Sequence, residues 1–291
     1  MATEKFGGNL NSAEKKLFIL AQDRFEELSD TEYMLFRSIA NSEPVDYGAI
    51  TSENNDPNNA SCWKENRTLR ADRIRWLCIE PEIWKDSLRQ RLDITGAKIE
   101  KSLNLSYTKV NISLRFSKCY FTEAILLKRA QLTTLELSGT HIASKKSTSI
   151  DAREIHVLGS VSLDNNFKAF KSVNLDNATI DGDLNCSKGC FTYTDGDALL
   201  AQSINVKGSV YLDDGFEAFR SVNLDDATID GDLNCSKGHF IYKDGDALLA
   251  RSINVKGSVH LDDEFKAFGK VNLQVIDHEF RVDLTTANSS H

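Results

Sequence analysis

Asp181-Gly182-Asp183-Leu184-Asn185-Cys186-Ser187-Lys188-Gly189 returns unchanged as Asp230 through Gly238, and Lys207-Gly208-Ser209-Val210 returns as Lys256 through Val259. The shift is 49 residues in both cases. At that shift, residues 175–223 and 224–272 align without a gap and agree at 39 of 49 positions. A third, fainter copy occupies 126–174 and contains Leu158-Gly159-Ser160-Val161-Ser162-Leu163. Tandem repeats of this length mark a solenoid, in which each unit buries its apolar side against its neighbours.

The apolar residues inside the repeat fall in pairs two apart, such as Val222/Leu224, which is the period of a β-strand. The second members run Leu175, Ile180, Cys186, Phe191, Leu200, Val206, Leu212, Phe219 and Leu224, in steps of 5, 6, 5, 9, 6, 6, 7 and 5. Four strands to a coil make each repeat two coils, and the step of 9 becomes a surface loop at 192–199, repeated at 241–248. The rhythm continues upstream through Ile94, Ile99, Leu105, Val110, Phe116, Phe121, Leu127, Leu132, Leu137 and Ile142. From Ile94 to Leu273 there are 31 such faces, hence about eight coils. At ~4.8 Å per stacked strand the rod is roughly 35–40 Å long.

Ala97/Ile99, Cys119/Phe121, Ala130/Leu132 and Thr140/Ile142 resemble the A-(D/N)-L-x-x motif of pentapeptide-repeat proteins. That likeness covers 92–273 as a rhythm, although the Asp/Asn is mostly missing from the first half and some steps are 6 or 7 residues. It implies a right-handed quadrilateral parallel β-helix. The chain is also similar to bacterial proteins of unassigned function that join a helical region to such repeats. The matching segments are Arg70 to Cys78, Ile180 to Leu184 and Ile204 to Val210.

The expected organisation is a helical cap over 1–91, the β-helix over 92–275, and a cap strand and tail over 276–291. Asn11-Ser12-Ala13-Glu14 and Ser29-Asp30-Thr31-Glu32 read as capping boxes that open helices over about 12–28 and from 29 to before Pro44. A third helix is predicted from about Asn66 to Ile79, with Leu69, Trp76, Leu77 and Cys78 inward and Pro81 as its stop. Phe280, Val282 and Leu284 alternate like one more strand, able to cap the rod or to pair with a second chain.

The composition is that of a soluble globular chain: 41% hydrophobic and 27% charged, with no apolar run long enough to span a bilayer. No leader peptide is legible, and the six cysteines read as core residues of a cytoplasmic protein. The net charge of −8 is uneven. Residues 1–150 carry +2 and residues 151–291 carry −10, which disfavours direct nucleic-acid binding by the repeats.

Two clusters are candidate binding sites. Asp213, Asp214, Asp225, Asp226, Asp262 and Asp263 present repeated carboxylates to a protein partner, while Arg67, Arg70, Arg73 and Arg75 load the third helix with positive charge. Ion pairing and packing of the arginine stems is the plainer reading of that helix. Asp181-Gly182-Asp183, Asp195-Gly196-Asp197 and their copies offer oxygen to calcium, but tight turns require the same residues. Cys186, Cys190, Cys235 and His239 have a superficial metal-ligand look, yet equivalent positions two coils apart lie roughly 10 Å from each other. No catalytic motif is present, and no cofactor or metal is expected.

The leading expectation is therefore a non-enzymatic interaction scaffold whose acidic face meets a protein. The sharper version, suggested by the resemblance, is a DNA mimic that occupies a DNA-binding protein and dimerises through its C-terminal end. The alternative is a β-helix carbohydrate-active enzyme, or a calcium-binding repeat protein.

Overall fold

The computed structural model describes residues 10–50, 55–85, 90–193, 195–276 and 282–283. Within them the chain is mainly β: a parallel β-solenoid of about eight turns preceded by a few helices. Both capping boxes form as the sequence requires. Asn11 Oδ1 accepts from the Glu14 amide at 2.9 Å and opens helix α1 (Ser12–Arg24), and Ser29 Oγ accepts from the Glu32 amide at 3.2 Å and opens α2 (Asp30–Ala40).

The predicted third helix is shorter than its pattern. Thr68–Arg70 is a strand pairing with Lys98–Glu100, and helix α3 covers only Ala71–Ile79. Sheet pairing overrides the local helical preference here, because the first coil offers an open edge whose backbone groups need partners. Val45–Asp46 serves a second part of that edge by pairing with Ile94–Thr95. Phe25, Phe36 and Trp76 pack between α1, α2 and α3, with ring centroids 5.2 to 6.5 Å apart.

The middle coils each contribute four short strands stacked on those of the next coil, while Lys109–Ser117, His239–Val255 and Lys266–Val275 run on as longer strands across more than one face. Val161, Leu184, Val210, Leu233 and Val259 form one column. Ala169, Phe191, Ala218, Phe240 and Ala267 form another, Val173, Leu199, Val222, Leu248 and Val271 a third, and Ile180, Val206, Ile229 and Val255 the fourth. Successive members of the first column stand 23, 26, 23 and 26 residues apart, so short and long coils alternate.

Side-chain size explains why the sequence repeats every second coil. A short coil places Phe167 and Ala169 where the next long coil places Gly189 and Phe191, and Phe216/Ala218 then faces Gly238/Phe240. The rings interleave into one ladder, Phe167–Phe191–Phe216–Phe240–Phe265, with centroids 5.2 to 5.6 Å apart. A Cβ on Gly189 would stand 2.7 Å from the Leu163 carbonyl oxygen and 3.1 Å from the Phe191 ring. Buried leucines at 163, 175, 212 and 224 alternate in the same way with Cys186, Ala201 and Cys235. Large and small residues thus alternate from coil to coil in this half of the rod, so two coils form its repeating unit, whereas the first coils stack Leu92, Leu114 and Leu135 directly.

Two positions differ from the sequence pattern. Phe219 is 37% exposed, and Ala218 takes its inward place. Leu200 is only half-buried, while Ala198, Leu199 and Ala201 fill the interior. The last coil leaves Phe265, Ala267, Leu273 and Val275 only partly buried among the described residues. Of the predicted C-terminal strand, Val282–Asp283 pairs with Val259–His260, and Phe280 and Leu284 lie outside the described residues.

Candidate functional site

The repeated polar motifs stand at the corners, where side chains leave the core. The repeated Asp-Gly-Asp and Lys-Gly-Ser segments turn out to be one corner seen in alternate coils. Lys207 Nζ reaches Asp181 at 2.5 Å and Lys256 Nζ reaches Asp230 at 2.8 Å. Asp183 Oδ1 accepts from the Ser209 amide at 2.8 Å, and Asp232 Oδ1 accepts from the Ser258 amide at 2.7 Å. The glycines form a stair: a Cβ on Gly231 would lie 2.8 Å from Gly208 backbone atoms, and one on Gly257 would lie 2.6 Å from the Gly231 carbonyl. The motif that identified the repeat is thus explained by corner closure, and its carboxylates are engaged with the neighbouring coil.

The six predicted aspartates separate onto two corners. Asp213, Asp214, Asp262 and Asp263 share the one that follows the first column, whereas Asp225 and Asp226 stand on the corner before the fourth. Half of them serve the fold. Asp213 is 9% exposed, accepts from Ser187 Oγ at 2.5 Å and from Asn234 Nδ2 at 2.8 Å, and burial raises its pKa. Asp262 accepts from Ser236 Oγ in the same manner. Asp225 is clasped by Arg251, whose Nε donates at 3.0 Å and whose amide donates at 2.8 Å, and this guanidinium hydrogen bond holds the carboxyl below its usual range.

The other three point to solvent. Asp214, Asp226 and Asp263 adopt left-handed φ angles of 53°, 58° and 42° and are exposed. That conformation suits Asp and Asn better than most residues. Coil phasing brings in two residues that the sequence reading passed over. Asp214 lies between Lys188 and Lys237 of the adjoining long coils, as the Lys188 amide bonding to the Asp213 carbonyl and the Asp214 amide bonding to the Ser236 carbonyl place it. The 26-residue offset between Lys188 and Asp214 was the available signal, but it is readable only once the coil length is known.

All four predicted arginines have partners within the protein. Arg67 is fully buried, donates from Nε to the Gly96 carbonyl at 2.8 Å and stacks on Trp63 at 3.9 Å. Arg70 and Arg73 converge on buried Glu32, at 2.9 and 3.4 Å, and Arg75 donates to the Asn104 carbonyl at 2.8 Å. Arg70 and Arg73 also line a cleft of about 810 Å³ with Arg24, Glu27 and Glu65. Its basic and acidic groups largely offset one another.

In the 192–199 segment Tyr193 packs on Gly196 with Lys171 over its ring at 4.9 Å; the copy at 241–248, expected as a loop, instead lies within the continuous strand His239–Val255, paired to Lys266–Val275, where Tyr242 packs on Gly245 with Arg220 over its ring at 4.6 Å. Asp246 accepts from Asn272 Nδ2 at 2.6 Å, and burial raises the pKa of Asp197. Cys186 and Cys235 are fully buried, with a coil carrying Leu212 between them. Among the described residues no group of three or more His, Cys, Asp and Glu side chains is arranged to hold a metal ion.

The class these observations define is a parallel β-solenoid of about eight turns with N-terminal helices stitched to its first coil. No family model, curated protein or solved structure matches the chain. No helix among the described residues is long and apolar enough to cross a membrane.

Proposed function

We propose that the protein is a non-enzymatic interaction scaffold whose repetitive solenoid corner docks on a protein partner. One observation carries this reading: Asp214 and Asp263 are exposed, recur two coils apart, and alternate with Lys188 and Lys237 although no corner contact needs their charge. Repetition multiplies a surface, and a surface of fixed charge spacing sets register and partner choice more than raw affinity. The partner is a protein bearing alternating charge at about 5 Å intervals along the rod. The DNA-mimic version is weaker, because duplex DNA is an uninterrupted anionic lattice and the two lysines interrupt this one.

Several narrower readings belong to the same proposal. The coil is right-handed and four-sided, which the four columns and the strong right-handed preference of parallel crossovers support. The partly exposed Phe265, Leu273 and Val275 at the last coil, with Val271 and Ile276 outside, support association of two chains through that end. Six unpaired cysteines are in keeping with a reducing, cytoplasmic location.

The test is a nuclease-treated pull-down from source lysate with the intact protein and with Asp214→Asn/Asp263→Asn. These substitutions spare Asp213, Asp225 and Asp262, whose loss would disturb the fold. A protein captured by the intact bait and lost with the variant supports corner docking; equal capture by both baits sinks it.

A further inference from the structure

Residues 55–58 run along the flank of the rod, away from its end. With Lys118, Gly139, His141 and Asn166 they line a cavity of about 480 Å³. Asn58, His141 and Asn166 also line a second cavity, of about 370 Å³, whose wall continues through Lys168, Lys188, Cys190 and Glu217. The shared residues make the two one continuous cleft, roofed by the N-terminal segment and floored by the solenoid.

Its charges are unequally engaged. Asp56 is committed to its own turn, accepting from the Asn58 amide and from Asn58 Nδ2, each at 2.9 Å. Glu217 lies 3.7 Å from Cys190 Sγ and 3.8 Å from His239 Nδ1. Among the described residues, by contrast, Lys118, Lys168 and Lys188 have no carboxylate within ion-pairing distance. Three lysines without a carboxylate partner lining one cleft stand out in a chain of net charge −8, Lys168 Nζ resting 5.2 Å from the centre of the Phe170 ring.

His141 marks the seam of the two cavities. It is 3% exposed; its ring interacts with the Asn166 backbone, while its Nδ1 has no hydrogen-bond partner in good geometry. Burial, with Lys168 nearby, lowers its pKa to about 4, so the ring is neutral and the positive charge of the cleft is that of the lysines. An orphaned buried nitrogen is costly unless something compensates it.

We propose that this cleft is a binding site for a small phosphate-class polyanion, with Lys118, Lys168 and Lys188 holding the charge and the Asn166 side-chain amide, with the second hydrogen of Asn58 Nδ2, donating hydrogen bonds. Lysine ammonium groups suit phosphate as compact point charges. Cavities of this size take small ligands. The site lies beside the docking corner, sharing Lys188 with it, and does not depend on the scaffold reading.

Isothermal titration of the full chain with inorganic pyrophosphate, and separately with adenosine triphosphate, tests it. One saturable site is expected, weakening at least tenfold in Lys118→Gln/Lys168→Gln/Lys188→Gln and unchanged in Lys243→Gln/Lys270→Gln, which alters exposed lysines elsewhere. The ¹⁵N resonances of the His141 ring are expected to move on titration, and far-UV circular dichroism checks that each variant is folded. Tighter binding of the nucleotide makes a nucleotide the ligand, and equal binding makes it free phosphate. No saturable binding of either probe, the same loss in both variants, or an unmoved His141 ring overturns the proposal.

Discussion

Truncating one ring of the phenylalanine ladder tests the architecture most directly. Phe216 is fully buried, with its centroid 5.2 Å from that of Phe191 and 5.4 Å from that of Phe240, so Phe216→Ala removes two aromatic contacts and opens a cavity between coils. Large-to-small changes of this kind cost ~3–5 kcal/mol. Phe219, three residues on and 37% exposed, supplies the comparison: a surface truncation costs ~0.5 kcal/mol or less. Because a solenoid couples only neighbouring coils, the damage is local, and a single global unfolding energy is the wrong readout. Hydrogen exchange by mass spectrometry is the right one. Peptides from 184–258 are expected to lose protection in Phe216→Ala, while those from 91–134 keep theirs and Phe219→Ala resembles the parent throughout. Comparable losses in the two variants would mean that the register placing Ala218 inward is wrong, and with it the size-exchange account of the two-coil repeat.

Three further outcomes are expected. Glu32→Ala removes the carboxylate shared by Arg70 and Arg73, leaving Arg73 with Asp72 at 2.9 Å, and should destabilise the helical region by ~1–3 kcal/mol, seen as an earlier denaturant shift in tryptophan emission, since Trp76 lies in that core; an unmoved transition would deny the buried ion pair its role. The Arg251 hydrogen bond depresses the folded-state pKa of Asp225, so its stabilisation is present above the unfolded carboxyl value of ~3.9 and is lost as pH falls through the lower folded value. The melting-temperature gap between the parent and Asp225→Asn should accordingly be wide at neutral pH and close in acid, and a gap constant with pH would count against the clasp. Finally, a thiol reagent should label Cys62 quickly and the other cysteines only after denaturation. Cys62 is exposed, whereas burial pushes Cys78 and Cys119 up to about 12 and half-buried Cys190 to about 11; rapid labelling of two or more thiols would contradict that burial.

The size-exchange account also bears on how the duplication persists. A single copied coil would set Phe against Phe in the second column, whereas a copied pair restores the match of large to small on both sides. For the phenylalanine column the duplicated unit that keeps large against small is therefore 49 residues long.

Local patterns gave the architecture away. The two-residue period marked the strands, the 49-residue shift marked the coil pair, and the two Asn/Ser-x-x-Glu boxes placed the starts of α1 and α2, because each depends on residues a few positions apart or on simple repetition. What lay beyond the sequence depended on partners one coil away. Phe219 and Ala218 are equally plausible inward residues until the stacking of Phe191 and Phe240 on Ala218 decides between them. Thr68–Arg70 reads as helix until the open edge at Lys98–Glu100 claims it as strand. Asp213 and Asp214 are adjacent and identical in type, yet Ser187 and Asn234 engage the first and leave the second to solvent between two lysines. Only the alternation of 23- and 26-residue coils brings those partners together, and a phase set by non-local pairing leaves no mark in a short window of sequence.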